Sequence, residues 1–523
     1  MSLSHRIILP FAIVSLALLV ACGNNNGPAP NSEGFSNSNL NGTYVFFSQG
    51  FDSNGFPLTL AGAFVANGSG GITGGSMDAV DPNVTVATNQ QITSGSYGVN
   101  TDGRGQVTLN SAAGTFILDV VLTSGASGLS SHGLVTEFDT NGSGSGTLDL
   151  QTAIAQTQIA GAYAFTLSGS DGAGNPFASV GSFTLNSSGI TTAGVQDFND
   201  AALPLLNESL TGSALLGSGT SPGTMGLASS FGALTFDFYP IDTTHFKVVE
   251  TDGLEFLAGD VFTQTGASIP NSPMVFTMSG GVSALISSGG VMTSAGNGNF
   301  TGGLEDLNNN GSVAAQVPFS GVGSSGGSVG GRVIVSLTGF APAIQWVIYP
   351  SSGGLLMLES DSLDTTIGTA YAETTGATLS TSQGYGFNLS AFNTSGGFAE
   401  NDLAEFASVS GTYTGGIDIS DDDGAGINLT PNEKFVVSFT GPDATGRGTA
   451  TTTVAGSGYV SFNFYTIDDS TALLLESDTN QIGTGIFGLQ TSAGSSVAAR
   501  GAFSTARPLS RARLSKKALE RKK

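Results

Sequence analysis

The stretch NGTYVFFSQG, residues 41–50, decides the fold, because close variants of it recur along the chain. AGAYAFTLSG begins at residue 160, SPMVFTMSG at residue 272 and QGYGFNLSA at residue 383. In the first copy Tyr44 and Phe46 lie two residues apart, the spacing that places large side chains on one face of a strand. Four copies of one strand predict four copies of one β unit.

Further markers recur at matching places in each copy. An acidic pair, Glu-x-Asp, ends an apolar run at Glu137 and Asp139, Glu250 and Asp252, Glu359 and Asp361, and Glu476 and Asp478. Fourteen residues after each glutamate stand Gln151, Gln264, Glu373 and Gln490. A Gly-Gly segment followed by an acid recurs as GGSMD, GGLED and GGID, and an arginine follows it at Arg104, Arg332 and Arg447 but not in the second copy. These markers place the repeats at 40–152, 158–265, 272–374 and 382–491.

The strand pattern predicts an all-β fold. In the first repeat we expect eight strands, near 43–49, 58–66, 70–77, 91–99, 105–110, 115–122, 132–138 and 145–151, joined by turns such as DSNG and DGRG. Consecutive strands with short turns form an antiparallel meander. Eight of them are enough to close a small up-and-down barrel, and a two-sheet β-sandwich is the alternative.

The N-terminus has the pattern of an export signal. Arg6 precedes the apolar run IILPFAIVSLALLV, which is followed at once by ACG. Residues 1–21 are therefore predicted to be a signal peptide. The residues before Cys22, the single cysteine of the chain, resemble the bacterial lipobox, and that resemblance implies lipid on Cys22. Residues 22–39, rich in Gly, Asn, Pro and Ser, are predicted to be a flexible tether.

The tandem pattern is similar to the β-rich repeats of uncharacterised bacterial cell-envelope lipoproteins. The resemblance covers residues 40–491 and is carried by the Tyr-x-Phe start, the Gly-Gly-x-x-Asp middle and the Glu-x-Asp end. It implies a secreted, lipid-anchored protein at the outer membrane or cell surface, since Gly23 stands where an aspartate is linked to inner-membrane retention. The resemblance brings no known activity with it.

Charge is placed very unevenly. Nine of the 15 Lys and Arg residues lie after residue 499, so the tail, 492–523, is basic and predicted to be disordered. Once Arg6 is removed with the signal peptide, five cations remain in the body against 38 acids, a formal charge of about −33. Such a body repels nucleic acid and anionic lipid, so nucleic acid is excluded as a partner.

Candidate chemistry centres on the recurrent Glu-x-Asp pairs. Residues i and i+2 of a strand face the same way, so each pair could hold a calcium ion. The structural alternative is that the acids end a strand and cap the next turn, and fourfold repetition favours that alternative. No other cofactor is expected. His132 and His245 belong to no common motif, so we expect them on strand surfaces and predict no catalytic residue.

Three functions fit these features. The first is a non-enzymatic envelope lipoprotein that presents its repeats for binding to an extracellular ligand or surface polymer. The second is a lipocalin-like carrier of small apolar ligands, and the third, with the least support, is a hydrolase. A carrier needs a cavity inside its barrels, whereas a scaffold fills them with Phe and Tyr.

Overall fold

The computed structural model describes residues 34–83, 85–124, 128–264, 266–327, 329–409, 412–454 and 461–490. The predicted signal peptide, Cys22 and the basic tail lie outside the described residues. Within the described ranges, no helix is long and apolar enough to cross a membrane. Two short 3₁₀ helices are present, at Asn37–Asn39 and Gln156–Ile159.

The first repeat forms a closed eight-stranded barrel with one additional strand. Its strands are β1 (Asn41–Asp52), β2 (Pro57–Asn67), β3 (Gly71–Asp81), β4 (Thr85–Ile92), β5 (Ser94–Val99), β6 (Arg104–Ser111), β7 (Gly114–Leu122), β8 (His132–Glu137) and β9 (Gly142–Leu150). All neighbouring strands are antiparallel. Pairing of β1 with β9, and of β3 with both β2 and β5, closes the ring and leaves β4 outside it. The eight predicted strands are present. The ninth, β4, was missed because TVATNQQI is too polar for a buried strand pattern.

The second repeat is a nearly closed barrel, open only at a narrow seam between two of its strands. Its strands are β10 (Gly161–Ser170), β11 (Pro176–Leu185), β12 (Thr191–Asp200), β13 (Leu203–Ser209), β14 (Thr211–Leu215), β15 (Gly223–Ala228), β16 (Ala233–Pro240), β17 (His245–Glu250) and β18 (Phe256–Thr263). The sheet ends at β13 and β14. An isolated bridge between Ile190 and Ser213 and a 3.0 Å hydrogen bond from Leu210 N to Gly194 O join the two sides of the seam.

The third and fourth repeats are closed eight-stranded barrels. The third contains β19 (Pro273–Gly280), β20 (Ile286–Ser294), β21 (Phe300–Asn309), β22 (Ser312–Ser325), β23 (Val333–Thr338), β24 (Gln345–Ser351), β25 (Gly354–Glu359) and β26 (Thr366–Ala372). The fourth contains β27 (Gly384–Asn393), β28 (Ala399–Val409), β29 (Thr412–Asp422), β30 (Ile427–Thr440), β31 (Arg447–Val454), β32 (Ser461–Asp468), β33 (Thr471–Glu476) and β34 (Gln481–Leu489). The prediction of tandem barrels is confirmed, and the sandwich alternative is excluded.

Each barrel is filled by its own side chains. The recurrent aromatic positions Phe46, Phe165, Phe276 and Phe387 are at most 1% exposed and belong to four separate clusters, one inside each barrel. Alternation along the strands directs one set of residues inward and leaves the other set for contacts outside the barrel. Each of the four barrels therefore has its own hydrophobic core, formed by residues of a single repeat.

The outward faces of the strands bury a second set of apolar clusters between barrels. Barrels 1 and 2 meet through Phe47 and Tyr239, barrels 2 and 3 through Phe262 and Tyr349, and barrels 3 and 4 through Val275 and Tyr465. Barrels 4 and 1 also meet, through Leu403 and Val121. The contacts thus run from the first barrel to the fourth and back to the first, and the four barrels form a closed ring.

The amide that follows the glutamate by fourteen residues in repeats 1, 2 and 4 ties its barrel to the next one, whereas repeat 3 has Glu373 at this position. Gln151 Nε2 donates to Pro240 O at 2.7 Å, and Gln264 Nε2 donates to Pro350 O at 2.8 Å. Gln490 closes the ring, since its Nε2 donates to Asp102 O at 2.7 Å and Leu122 O at 3.0 Å. A residue near the end of the described chain therefore binds backbone of the first barrel.

Replacing Gln490 by leucine should loosen the contact between barrels 4 and 1. The variant leaves two buried carbonyl groups without their donor, at a cost of about 1–3 kcal/mol for each group. Hydrogen exchange is expected to quicken in β7, β8, β27 and β28 and to stay unchanged in β24 and β25. Gln264→Leu is the matched control and should show the opposite distribution. If both variants quicken exchange in the same strands, the interpretation that each glutamine stabilises only its own junction is wrong.

The prediction of a flexible tether over 22–39 needs correction at its end. Phe35 is 2% exposed and lies in the core cluster of barrel 1, and the Asn39 side chain donates to Gly128 O at 2.5 Å. Residues 34–39 are thus part of the first barrel. The single aromatic residue among the polar ones explains the difference, because burial of one Phe side chain contributes about 1.5–3 kcal/mol.

Candidate functional sites

Each repeat contributes a projecting hairpin, which we call the arm: residues 77–92, 196–209, 305–317 and 417–433. An aspartate near the start of each arm accepts the N–H of a residue on the returning strand. The pairs are Asp78 with Asn89 (2.6 Å), Asp197 with Asn207 (2.7 Å), Asp306 with Gln316 (2.9 Å) and Asp418 with Asn432 (2.7 Å). The four donors have positive φ, between 47° and 61°. This aspartate, which in repeats 1, 3 and 4 is the acid of the Gly-Gly segment, therefore holds a bulge in place.

The same aspartate also binds the next barrel. Arg332 of barrel 3 donates from Nε to Asp197 Oδ2 at 2.6 Å and from Nη2 to Oδ1 at 2.5 Å, and Tyr349 Oη donates to Oδ2 at 2.5 Å. Asp197 is fully buried and Arg332 is 3% exposed. The bidentate contact of the arginine and the hydrogen bond of the tyrosine together offset the cost of removing the carboxylate from water.

The arrangement repeats between barrels 3 and 4. Arg447 donates from Nε and Nη2 to Asp306 at 2.7 and 2.9 Å, and Tyr465 Oη donates to Asp306 Oδ2 at 2.7 Å. Between barrels 4 and 1, Arg104 pairs with Asp102 of its own barrel at 3.0 Å and reaches across Gly416 of barrel 4, where a Cβ would collide with its Nη1. The recurrent arginines are thus structural links between barrels.

The missing arginine of the second repeat has a visible consequence. Tyr239 Oη donates to Asp78 Oδ2 at 2.8 Å, but no arginine follows because Pro222 precedes Gly223 at the equivalent turn. Burial raises the pKa of Asp78, and the neighbouring Asp237 raises it further. This junction is held by apolar contacts and by hydrogen bonds such as those of Tyr239 with Asp78 and of Gln151 with Pro240, without an arginine–aspartate pair.

The four glutamates of the Glu-x-Asp pairs face the barrel interiors. Each is the last residue of its strand and lies opposite a core residue of the neighbouring strand: Glu137 opposite Leu118, Glu250 opposite Phe236, Glu359 opposite Trp346 and Glu476 opposite Phe462. All are at most 6% exposed. Directly opposed residues of an antiparallel pair share a face, so one end of every barrel, here called its mouth, carries an inward glutamate.

The aspartates of the pairs cap backbone instead. Asp139 accepts the N–H of Ile117 and of Asn141, both at 2.7 Å. Asp252 and Asp361 accept corresponding pairs of N–H groups, and Asp478 accepts two from the following turn. Because each strand ends at the glutamate, the rule that residues i and i+2 face one side does not extend to the aspartate. The turn-capping interpretation accounts for these contacts.

Burial raises the pKa of all four glutamates, and the adjacent aspartate raises it further. The pKa of Glu250 reaches about 9. Among the described residues, no three or more His, Cys, Asp or Glu side chains form a group that could hold a metal ion. Calcium at the Glu-x-Asp pairs stays a hypothesis.

The histidine prediction was wrong about burial. His132 and His245 are 8% and 5% exposed, not on a strand surface. His132 Nδ1 lies 2.7 Å from Asp149 Oδ1, and His245 Nε2 lies 2.5 Å from Asp260 Oδ1, which also binds Lys247 Nζ at 2.8 Å. Burial alone would raise the pKa of these aspartates, but His132 and Lys247 hold them below the usual value. The aspartate partners explain why histidine is tolerated there.

The mouth of barrel 1 contains a cavity of about 250 Å³. Its lining includes Asp52 and Asp81, which Asn83 joins by hydrogen bonds of 2.9 and 2.7 Å, and the apolar residues Leu58, Ala79, Ala87 and Phe116. Turns at 113–116 and 140–141 complete the rim. The sequence analysis did not find this site, because Asp52 and Asp81 are ordinary turn acids in the sequence and come together only when β1 and β3 flank β2.

Comparisons with known proteins add little. No family model and no curated protein matches the chain. Among solved structures, a double mutant of the vaccine antigen Transferrin Binding Protein B from Haemophilus parasuis Hp5 is similar at 10% identity, over 71% of this chain and 85% of that chain, with a TM-score of 0.17. A match at that TM-score carries no argument about fold or function.

Proposed function

We propose that this chain is a non-enzymatic lipoprotein of the bacterial outer membrane or cell surface, whose ring of four barrels binds an extracellular ligand or surface polymer. The observation that carries the proposal is that the residues recurring from repeat to repeat serve to join the barrels. Arg332 and Arg447 bind arm aspartates of the preceding barrel, and the recurrent glutamines bind backbone of the next barrel. A rigid body with filled barrels offers its outer surface for contact.

The carrier alternative is the second candidate. The barrel interiors are filled by clusters such as Phe387, Phe406 and Phe435 in barrel 4, which leaves little space for a lipocalin-like ligand. The cavity of barrel 1 lies at its mouth and has acids in its lining, unlike an apolar ligand chamber. The hydrolase alternative gains nothing from the histidines, since both are buried and the ring contacts of these two described residues lead to aspartates, with no serine or threonine hydroxyl bound to either ring.

Lipid anchoring can be tested in a bacterial host by metabolic labelling with an alkyne fatty acid. The full chain should take up label and sediment with the membrane fraction. Cys22→Ser should lose both properties, because stable anchoring depends on the acyl chains. Asn25→Ser, a polar change in the same tether, should behave as wild type. Label retained in Cys22→Ser would contradict anchoring at this cysteine.

Adhesion can be tested on intact cells carrying the same variants. Protease added outside should digest the wild-type protein if it faces the exterior. Cells with the wild-type chain should be retained on at least one of immobilised lipopolysaccharide, peptidoglycan or mucin more strongly than cells with Cys22→Ser. Equal retention on every polymer would overturn the adhesive part of the proposal and leave the anchoring result intact.

A further inference from the structure

Repeat 2 departs from the other repeats at one pair of facing residues in the wall of its barrel. Lys247, three residues before the mouth glutamate, lies directly opposite Asp260 on the neighbouring strand β18. The equivalent pairs of the other repeats are uncharged: Leu134 with Thr147, Leu356 with Thr369, and Leu473 with Ile486. Repeat 2 therefore places an amine and an acid together at a position where the other barrels have neither.

This pair lies in the buried contact between barrels 1 and 2. Lys247 is 2% and Asp260 is 1% exposed, and the lysine Nζ lies 2.8 Å from the aspartate Oδ1. The ring of Phe47 from barrel 1 covers the amine at 5.0 Å, beside the apolar residues Val249 and Ala258. A buried ion pair adds little to stability, because the cost of removing both charges from water is close to the gain from their attraction. Stability alone therefore does not account for the pair.

His245 binds the carboxyl group at the oxygen that the amine contacts. Its Nε2 lies 2.5 Å from Asp260 Oδ1, whereas its Nδ1 is buried without a hydrogen-bond partner. The proton of the neutral imidazole is therefore assigned to Nε2, from which it is donated to Oδ1. The ring stacks on Phe262 at a centroid distance of 4.3 Å, which fixes its orientation. One carboxyl group is thus held between an amine and a proton donor.

We propose that Lys247 and Asp260 condense to an amide, which joins β17 and β18 by a covalent bond. The ammonium group passes one proton to Asp260 Oδ1, and the resulting amine attacks Cγ. His245 donates its Nε2 proton to the departing Oδ1 and regains a proton from the attacking nitrogen. The bond between Cγ and Oδ1 breaks, one water leaves, and an uncharged amide replaces both buried charges. The step consumes no oxidant, reductant or co-reactant.

The bond lies in the barrel that is not closed. The sheet of barrel 2 ends at β13 and β14, and the junction of this barrel with barrel 1 has no arginine–aspartate pair. Two reacting groups held in contact behave as though each were present at an effective concentration of about 10⁵ M or more, which favours the condensation. The amide adds a constraint that the other barrels cannot form, because they have no amine at this position. This inference goes beyond the proposed envelope function and does not depend on lipid anchoring.

Proteolysis of the denatured full chain tests the proposal. Trypsin cleaves after a free lysine but not after an acylated one, so we expect cleavage after Lys434 and none after Lys247. A chymotryptic digest should contain the peptides of Lys247 and Asp260 joined, at a mass about 18 Da below their sum because one water has left. Cleavage after Lys247, with both peptides separate and unmodified, would overturn the proposal. Joining of Lys247 to a different acid, such as the nearby Asp149, would overturn it as well.

Variants separate the amide from the ion pair. Lys247→Arg keeps the charge without the nucleophilic amine and should give separate peptides while circular dichroism shows an unchanged β fold. His245→Phe keeps an aromatic ring without the proton donor and should slow joining by about 100-fold, sampled over time after cell-free synthesis of the chain. Lys434→Arg is the matched control and should form the amide as the wild type does. Joined peptides in Lys247→Arg would refute the assignment to Lys247, and an unchanged rate in His245→Phe would refute the step through His245.

Discussion

Replacing Arg447 by methionine is expected to lower the free energy of unfolding of the full chain by about 3–5 kcal/mol. The change leaves Asp306, which is 1% exposed, with hydrogen bonds from Tyr465 and Gln316 but without its cation. Breaking a buried ion pair is costly because the remaining charge has left water and lost its partner. Urea unfolding followed by circular dichroism measures the effect.

Lys434→Met is the matched control, because it removes a cation from the same barrel at an exposed position. Its effect should stay within about 0.5 kcal/mol. The double variant Arg447→Met with Asp306→Asn should recover part of the loss, since it removes the unpaired charge as well. A loss in Arg447→Met no larger than in Lys434→Met would show that the junction does not depend on this pair.

The full chain is expected to lose stability as the pH rises from about 5 to about 9, the reverse of ordinary acid unfolding. The responsible groups are buried carboxyls whose pKa burial raises, to about 9 for Glu250 and about 7 for Glu305. A carboxyl that holds its proton more tightly in the folded state stabilises the fold while protonated. That contribution is complete below the usual value of 4.5 and is lost as pH rises through the folded-state pKa.

The expected loss is several kcal/mol in total, since one pKa unit corresponds to about 1.4 kcal/mol. Asp149 and Asp260 have lowered pKa values, and their contribution is lost only in more acidic solution. Melting temperatures across this range measure the slope. Glu250→Gln should flatten it, whereas Val248→Ala, which changes packing beside it without a titrating group, should shift every point equally. A melting temperature that rises with pH would contradict this account.

The local pattern of the fold was predictable from the sequence, because one barrel is built from short-range rules. Alternation around Tyr44 and Phe46 and turn motifs such as DGRG predicted the strands of the first repeat. The arm strand β4 was not predicted, because its polar sequence, TVATNQQI, lacks the alternation of apolar residues that indicates a strand facing a core. The seam of barrel 2 has the same origin, a returning strand split into β13 and β14.

The contacts between barrels were not predictable, although the recurrent arginines and Gln490 stand out in the sequence. Arg332 and Asp197 are 135 residues apart, and nothing in their spacing pairs them. Gln490 bears the same relation to Asp102, 388 residues away. Each repeat carries both halves of a junction, and a single sequence does not say whether they meet within a repeat or between two.

The closed ring has a consequence for the symmetry of the molecule. Each barrel presents an arm to one neighbour and receives an arm from the other, so the contacts are head-to-tail and close after four copies. A cyclic homotetramer has the same arrangement of contacts, which here is formed within one polypeptide chain. Phe35 and Gln490 lie near the two ends of the described chain, and both lie beside Gly103. The two ends of the described chain are therefore together at the junction between barrels 4 and 1. A covalent linker connects the two barrels at three of the junctions. The junction between barrels 4 and 1 is held by noncovalent contacts alone, as every junction of a homotetramer would be.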